Sequence, residues 1–189
     1  MVMPKVGILA MQGAFIEHVE MLKRCGVRAI EVRLPEELAK VQALILPGGE
    51  STSNRKLLKE SGLLKPLAER IKQGMPVFGT CAGAILLAKT VDSKPSVFQA
   101  IDISVKRNAY GRQIDSFEAE LKVKGFAKPF HGVFIRAPII EHVGKNVEVL
   151  AEFGEKAVLA KQNNVLVATF HPELTEDTRI HRLFLKMIK

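Results

Sequence analysis

The chain of 189 residues has no tryptophan, one tyrosine and two cysteines, Cys25 and Cys81. Two cysteines are no disulfide framework for a chain of this size. The fold must therefore rest on a hydrophobic core, and both thiols suit a reducing, cytoplasmic setting. No apolar run approaches the ~18 residues of a membrane span, so no membrane association is expected. The opening stretch MVMPKVGILAM is too short, and too soon broken by Gln12-Gly13, to read as a signal peptide. Basic residues outnumber acidic ones, 28 to 20, for a net charge of +8. Aromatics are few, however, and neither a Cys/His finger spacing nor an aromatic-rich RNA-binding stretch is present, so no nucleic-acid partner is expected. The excess lysine reads as solvated helix faces. No cluster has the spacing of a metal site, and no metal or cofactor is expected. There is no internal repeat and no low-complexity segment. The length suits one domain over residues 1–189.

What is present is an alternation of apolar runs and helical patterns. Lys5–Met11 and Ala43–Leu46 read as buried strands, and Arg28–Arg33 as a weaker one. Between them Phe15, Val19 and Leu22 recur at helical spacing, and Pro35–Ala39 starts a short acidic helical turn. Leucines from Leu57 to Leu67, with Ile71, give helical faces broken by Gly62. This strand–helix–strand rhythm predicts a mostly parallel sheet with helices on both faces. After Lys89 the rhythm changes. Thr90–Ser96 reads as a turn. Val97–Val105, Phe117–Lys124, Phe130–Ile135, Asn146–Phe153, Ala157–Lys161 and Val165–Phe170 read as closely spaced strands with antiparallel pairing. A last amphipathic helix carries Ile180, Leu183, Phe184 and Met187.

One stretch concentrates the chemistry. Val77-Phe78 suggests a buried strand, Gly79-Thr80-Cys81-Ala82-Gly83 a corner of small residues, and Ala84–Lys89 the start of a helix. The corner matches the nucleophile elbow G-x-S-x-G with cysteine in the serine position. Its glycines give the room and the dihedral freedom that such a turn needs. The helix start favours a thiolate and can hold an oxyanion through backbone N–H groups. A second candidate edge is Pro47-Gly48-Gly49-Glu50-Ser51, directly after a predicted strand, where ligands bind in open α/β sheets. No Gly-Lys-Ser/Thr follows, so it is not a phosphate loop.

Of the five histidines, His171 stands out. It ends a predicted strand in the run His171-Pro172-Glu173, and Pro172 biases it toward an extended backbone. In an extended segment His171 and Glu173 point the same way. A carboxylate there fixes the imidazole tautomer and supports the imidazolium, which is the Cys–His–acid arrangement of covalent catalysis. His18 reads as a residue on the polar face of its helix, and His131 and His142 as loop or edge residues. The residues alone leave open a stand-alone thiol hydrolase on this sheet and a sensing or scaffold protein with a relic site.

The runs Leu9–Gly13, Leu46–Thr52, Phe78–Gly83, Arg107–Gln113, Ser116–Ala119, Gly132–Pro138 and Phe170–Thr175 together resemble the class I, triad-type glutamine amidotransferases. More narrowly, they resemble the glutaminase subunits of pyridoxal 5′-phosphate synthase. Ala109-Tyr110 stands where such subunits usually have Ser-Phe, and Ala10-Met11 where they commonly have Gly-Leu. The resemblance implies a flavodoxin-like α/β three-layer sandwich, with a mostly parallel central sheet and extra short antiparallel strands in the C-terminal half. It implies hydrolysis of L-glutamine to glutamate and ammonia, with Cys81 as nucleophile, His171 as base and Glu173 orienting it. Gly49, Glu50, Ser51, Arg107, Ile135 and Arg136 then contact glutamine, and Gly48, Gly49 and Ala82 form the oxyanion site. The implied partner is a (β/α)8-barrel synthase subunit in a large hetero-oligomer. It receives the ammonia for vitamin B6 synthesis, and without it the glutaminase is weakly active or inactive.

Overall fold

Short runs without a polar side chain, VGIL, ALIL and VLVA, become strands buried along their whole length, as parallel strands covered on both faces require. The computed structural model describes residues 4–107 and 116–188. In chain order these hold β1 (Val6–Leu9), α1 (Phe15–Arg24), β2 (Ala29–Val32), α2 (Pro35–Leu38), β3 (Ala43–Leu46), α3 (Ser51–Glu60), α4 (Leu64–Lys72), β4 (Val77–Thr80) and α5 (Ala82–Leu87). Next come β5 (Ala88–Val91), β6 (Lys94–Pro95), β7 (Ile101–Lys106), β8 (Ser116–Leu121), β9 (Phe130–Ile135) and β10 (Ile139–Val143). Last are β11 (Glu148–Phe153), β12 (Lys156–Gln162), β13 (Val165–Ala168), a 3-10 turn (Pro172–Leu174) and α6 (Arg179–Leu185). Of the Arg107–Gln113 run, only Arg107 lies within the described residues.

The main sheet has the order β11-β12-β13-β4-β3-β1-β2. Its strands β2, β1, β3, β4 and β13 are parallel, and β12 and β11 extend it antiparallel. Alternation along β3 shows how each face is covered. Leu44 and Leu46 join a core with Leu58, Leu67 and Leu87, so α3, α4 and α5 lie on that side. Ala43 and Ile45 join a core with Leu22, Ile180 and Phe184, so α1 and α6 lie on the other. A second sheet, β10-β7-β5-β6, packs on the first side through Ile101, Ile103 and Val105. The β8–β9 hairpin packs on the second through Leu121, Phe130 and Phe134. The architecture is the flavodoxin-like three-layer sandwich with its antiparallel additions. Among the described residues no helix is long and apolar enough to cross a membrane.

Three local expectations need correction. The helix after the corner starts earlier, at Ala82, and ends at Leu87, because Ala88 turns extended (ψ 157°) and enters β5. Thr90–Ser96, expected as a turn, contains the β5–β6 hairpin. Residues 97–100, expected as strand, instead wrap the C-terminal end of α5: Phe98 N–H donates to Leu86 O and Ala100 N–H to Leu87 O, while Ser96 Oγ donates to Ile85 O at 2.5 Å. A six-residue helix leaves its last carbonyls without intrahelical donors, and this segment supplies them.

The parallel strands all end at one edge of the sheet. There β1 leads into Gln12-Gly13, β3 into Pro47–Gly49, β4 into Cys81, and β13 into Thr169–His171. The corner is made by close approach: a Cβ on Gly83 would lie 1.9 Å from the Leu46 carbonyl oxygen, and one on Gly79 would lie 2.6 Å from the Gly83 carbonyl carbon. Neither glycine has a positive φ, so the corner needs their lack of a side chain and not the dihedral freedom expected for them. Gly83→Ala is therefore expected to lower stability by about 1–3 kcal/mol, as overpacking does, read as a fall in the midpoint of denaturant unfolding. An unchanged midpoint would contradict this account of the corner.

Candidate active site

Cys81 itself carries the sharp turn, with φ 47° and ψ −103°. A non-glycine residue in such a conformation is strained and persists only where its surroundings hold it. Here the Cys81 N–H donates to Ala168 O at 2.9 Å, and its carbonyl accepts from Ile85 N at 3.2 Å, so β13 and α5 pin both sides. The side chain is 7% exposed, and Sγ lies 3.8 Å from Ile135 O.

His171 follows β13, and its backbone N–H donates to Val133 O of β9 at 2.8 Å. Its Nδ1 lies 2.7 Å from Glu173 Oε1. The pairing is the one expected, but its route differs. Residues 172–174 form a 3-10 turn, so turn geometry, not strand alternation, brings the carboxylate to the ring. With Nδ1–H donated to Glu173, Nε2 is left as the atom that can take a proton from Cys81. Burial disfavours a charge on His171, but hydrogen bonds to Cys81 and Glu173 and their charges outweigh it and hold its pKa well above the ordinary histidine value. Glu173 is 4% exposed, and burial pushes its pKa up against the opposing pull of His171.

A cleft of about 250 Å³ opens over these groups. Its walls contain Cys81 and His171 and all six residues expected to bind substrate: Gly49, Glu50, Ser51, Arg107, Ile135 and Arg136. Arg107 is held in place by Asp92, whose carboxylate accepts from Arg107 Nε at 2.7 Å and from its backbone N–H at 3.0 Å. Arg136 is exposed and has a left-handed backbone, φ 42°. Two guanidinium groups at one cleft suit a carboxylate-bearing ligand. Gly48 is buried beneath the cleft, where a Cβ would lie 2.4 Å from His171 Cε1 and 3.4 Å from Cys81 Cβ. The Gly48 carbonyl in turn rests on Gly13, where a Cβ would lie 1.8 Å from that oxygen. Gln12 Nε2 fixes the next turn of chain by donating to Glu50 O at 2.7 Å. Ala82, at the start of α5, is buried beside Cys81.

The carboxylate of Glu50 caps α3, accepting from Thr52 N at 3.3 Å, from Ser53 N at 3.0 Å and from the Thr52 hydroxyl. The cleft therefore meets Glu50 through a residue whose side chain is already engaged.

Four residues near the site were not singled out by the sequence: Asp92, Thr80, His18 and His181. His18 overturns its expectation, because it is fully buried. Its ring lies behind Glu173, with Nε2 3.4 Å from Glu173 Oε2 and 3.1 Å from Thr80 Oγ1, and Nδ1 2.9 Å from His181 Nε2. A signal was available. His18 stands three residues after Phe15 and four before Leu22, inside the apolar stripe of α1, and His181 stands three before Phe184 in α6.

Comparison with known proteins gives a consistent result. The model of the SNO glutamine amidotransferase family matches residues 8–189. A Thermosipho africanus protein named pyridoxal 5′-phosphate synthase subunit PdxT is 55% identical over 186 residues, 98% of this chain and 99% of that one. A Thermotoga maritima protein of the same name is 51% identical over 187 residues, 98% of this chain and 100% of that one. A crystal structure described as a glutamine amidotransferase superposes with a TM-score of 0.91 at 50% identity, covering 97% of this chain and 98% of the other.

The engaged carboxylate of Glu50 has a pH signature. Hydrogen bonds from the Thr52 hydroxyl and the Ser53 N–H lower its pKa from 4.5 to about 2. A depressed carboxyl stabilises the fold fully above its unfolded value, and that contribution is lost as pH falls from 4.5 through about 2. The stability difference between the native chain and Glu50→Gln, from denaturant titrations, should be constant above pH 4.5 and change steadily below it in disfavour of the native chain. A pH-independent difference would contradict the capping role.

Proposed function

The chain belongs to the SNO glutamine amidotransferase family, and on that premise we propose that it is the glutaminase subunit of a pyridoxal 5′-phosphate synthase, hydrolysing L-glutamine through Cys81, His171 and Glu173. The observation that carries this reading is the meeting of a strained, buried thiol with a His–Glu pair under a cleft walled by two arginines. The name shared by its relatives, pyridoxal 5′-phosphate synthase subunit, points to the pathway. The two cysteines, both free, suit a cytoplasmic protein.

The chemistry follows from the positions. Glutamine binds with its α-carboxylate toward Arg107 and Arg136 and its side-chain amide toward Cys81. His171 Nε2 takes the thiol proton, and Sγ attacks the amide carbon. The Ala82 N–H and an N–H of the Gly48-Gly49 loop hold the oxyanion that forms. Glu173 keeps the imidazolium oriented while it returns the proton to the departing nitrogen. The C–N bond breaks, ammonia leaves and a γ-glutamyl thioester remains. His171 then takes a proton from water, hydroxide adds to the thioester, and glutamate and the thiol are restored.

Ammonia released into water at neutral pH is protonated and no longer a nucleophile, so a synthase that uses it gains from receiving it directly. We therefore assign the product to a (β/α)8-barrel synthase subunit docked on this chain. Catalysis is gated by that docking through small movements of oxyanion donors, whose value depends on placement to within a fraction of an ångström.

Steady-state glutamine hydrolysis tests both parts. Cys81→Ala should abolish turnover, while Cys25→Ser, which alters a half-buried thiol at the end of α1, should leave it nearly unchanged. Excess barrel subunit should raise the native kcat by about tenfold or more, since one oxyanion hydrogen bond is worth up to ~10²-fold or more in kcat. Equal rates with and without the barrel would favour a stand-alone hydrolase, and turnover by Cys81→Ala would refute the mechanism.

A further inference from the structure

The carboxylate of Glu173 has two oxygens, and the proposed mechanism uses one. Oε1 receives His171 Nδ1. Oε2 is fully buried and has no hydrogen-bond partner among the described residues, and His18 Nε2 stands 3.4 Å from it. A buried carboxylate oxygen left without a donor is costly, so the identity of the atom facing it matters.

The proton positions follow from the neighbours. His18 and His181 are both fully buried, and burial pushes the pKa of each down, for His18 with help from the positive charges that His181 and His171 can carry. A neutral imidazole has one donor and one acceptor. His18 Nδ1 and His181 Nε2, 2.9 Å apart, therefore share one proton. If His18 donated it, His181 would carry its own proton on Nδ1, which is buried without a partner among the described residues. The bare lone pair of His18 Nε2 would then face the Glu173 carboxylate. If His181 donates it instead, His18 carries its proton on Nε2, bonded to Thr80 Oγ1 at 3.1 Å with Glu173 Oε2 3.4 Å away, and His181 Nδ1 is left with only a lone pair. Buried N–H groups without acceptors are rarer than under-used acceptors, so the second arrangement is favoured at both ends.

We propose that His18 is a positioning residue for glutamine hydrolysis: with its tautomer set by His181, it holds its Nε2–H edge, bonded to Thr80 Oγ1, 3.4 Å from Glu173 Oε2, and so favours the ionised carboxylate with its other oxygen turned to His171. This rests on the assignment of Cys81, His171 and Glu173 as the reacting set. The resulting chain, His181 to His18 to Glu173 to His171 to Cys81, joins α6, α1, the 3-10 turn and the corner after β4. His18 also touches Thr80, the residue before the nucleophile, so one ring braces both the acid and the thiol. The titratable groups facing Glu173 are His171 from its own turn, His18 and the more distant Glu17 from α1, with Cys81 beyond His171 and His181 beyond His18.

The sign of the effect is fixed. Without His18 beside it, Glu173 takes up a proton at higher pH, His171 loses its orienting carboxylate there, and the acid limb of activity moves up with the titration of Glu173. In the complex with the barrel subunit, His18→Phe should lower kcat for glutamine by about tenfold with KM nearly unchanged, and raise the acid limb of the kcat/KM profile by about one pH unit. His18→Gln, whose amide can place a donor near the same point, should recover most of both. A core-filling role would not move the limb or be rescued by an amide. Iodoacetamide labelling of Cys81 against pH, with no glutamine present, should show the same shift. If that shift appears but the native complex does not hydrolyse glutamine, the functional reading fails and the positioning role stands. If the native complex is active and the His18→Phe profile overlays it, the positioning role fails. Should His18→Phe not fold, 15N spectra of histidine-labelled native protein decide: both His18 and His181 as Nε2–H tautomers support the proposal, and an Nδ1–H tautomer at His18 overturns it.

Discussion

A carboxylate buried at the edge of the sheet sets the terms for what surrounds it. An ion of this kind costs several kcal/mol to remove from water unless it is met by donors, and Glu173 is 4% exposed. The groups that meet it come from distant parts of the chain. His171 arrives from the end of β13, and His18 from α1, backed by His181 of α6, 163 positions away in sequence. None of them is in place until the sheet has formed and both helices have packed on the same face. The two ends of the chain are thereby tied together behind the site, and the polar network becomes a condition of the fold as well as of the chemistry.

The opposite side of the site is held by close approach. Gly83 sits against the Leu46 carbonyl, Gly48 against His171, and Gly13 against the Gly48 carbonyl, at separations that leave no room for a Cβ. The segments after β1, β3 and β4 thus meet backbone to backbone, and the His171 ring packs directly on Gly48. That packing lets Cys81 hold a φ of 47°, and in the proposed mechanism the strain presents its thiol to the cleft. The second sheet and the β8–β9 hairpin close the cleft from above through Arg107, Ile135 and Arg136.

Much of this was legible in the residues. Short apolar runs marked most of the parallel strands, and β3 and β9 fell on Ala43–Leu46 and Phe130–Ile135 as expected. The Cys81 corner, the His-Pro-Glu run and the glycine loop after β3 were visible as patterns, and the cleft contains every residue expected to bind substrate. What was not legible depends on tertiary context. Residues 97–100 had strand-like composition, but the unsatisfied carbonyls of α5 claimed their backbone. Asp92 looked like a turn residue, and only the fold places it on Arg107. His18 was read as polar-face because histidine is polar, although its spacing put it in the apolar stripe. A buried histidine pair needs partners that helical periodicity does not reveal.

The central claim is that Cys81 forms a covalent bond to the substrate at this edge. Rapid acid quench of the complex with the barrel subunit during glutamine turnover, followed by peptide mass spectrometry, tests it most directly. The account predicts a γ-glutamyl adduct on the peptide containing Cys81 that appears before steady state and disappears when glutamine is exhausted. Turnover without any such adduct, or an adduct on another residue, would contradict it.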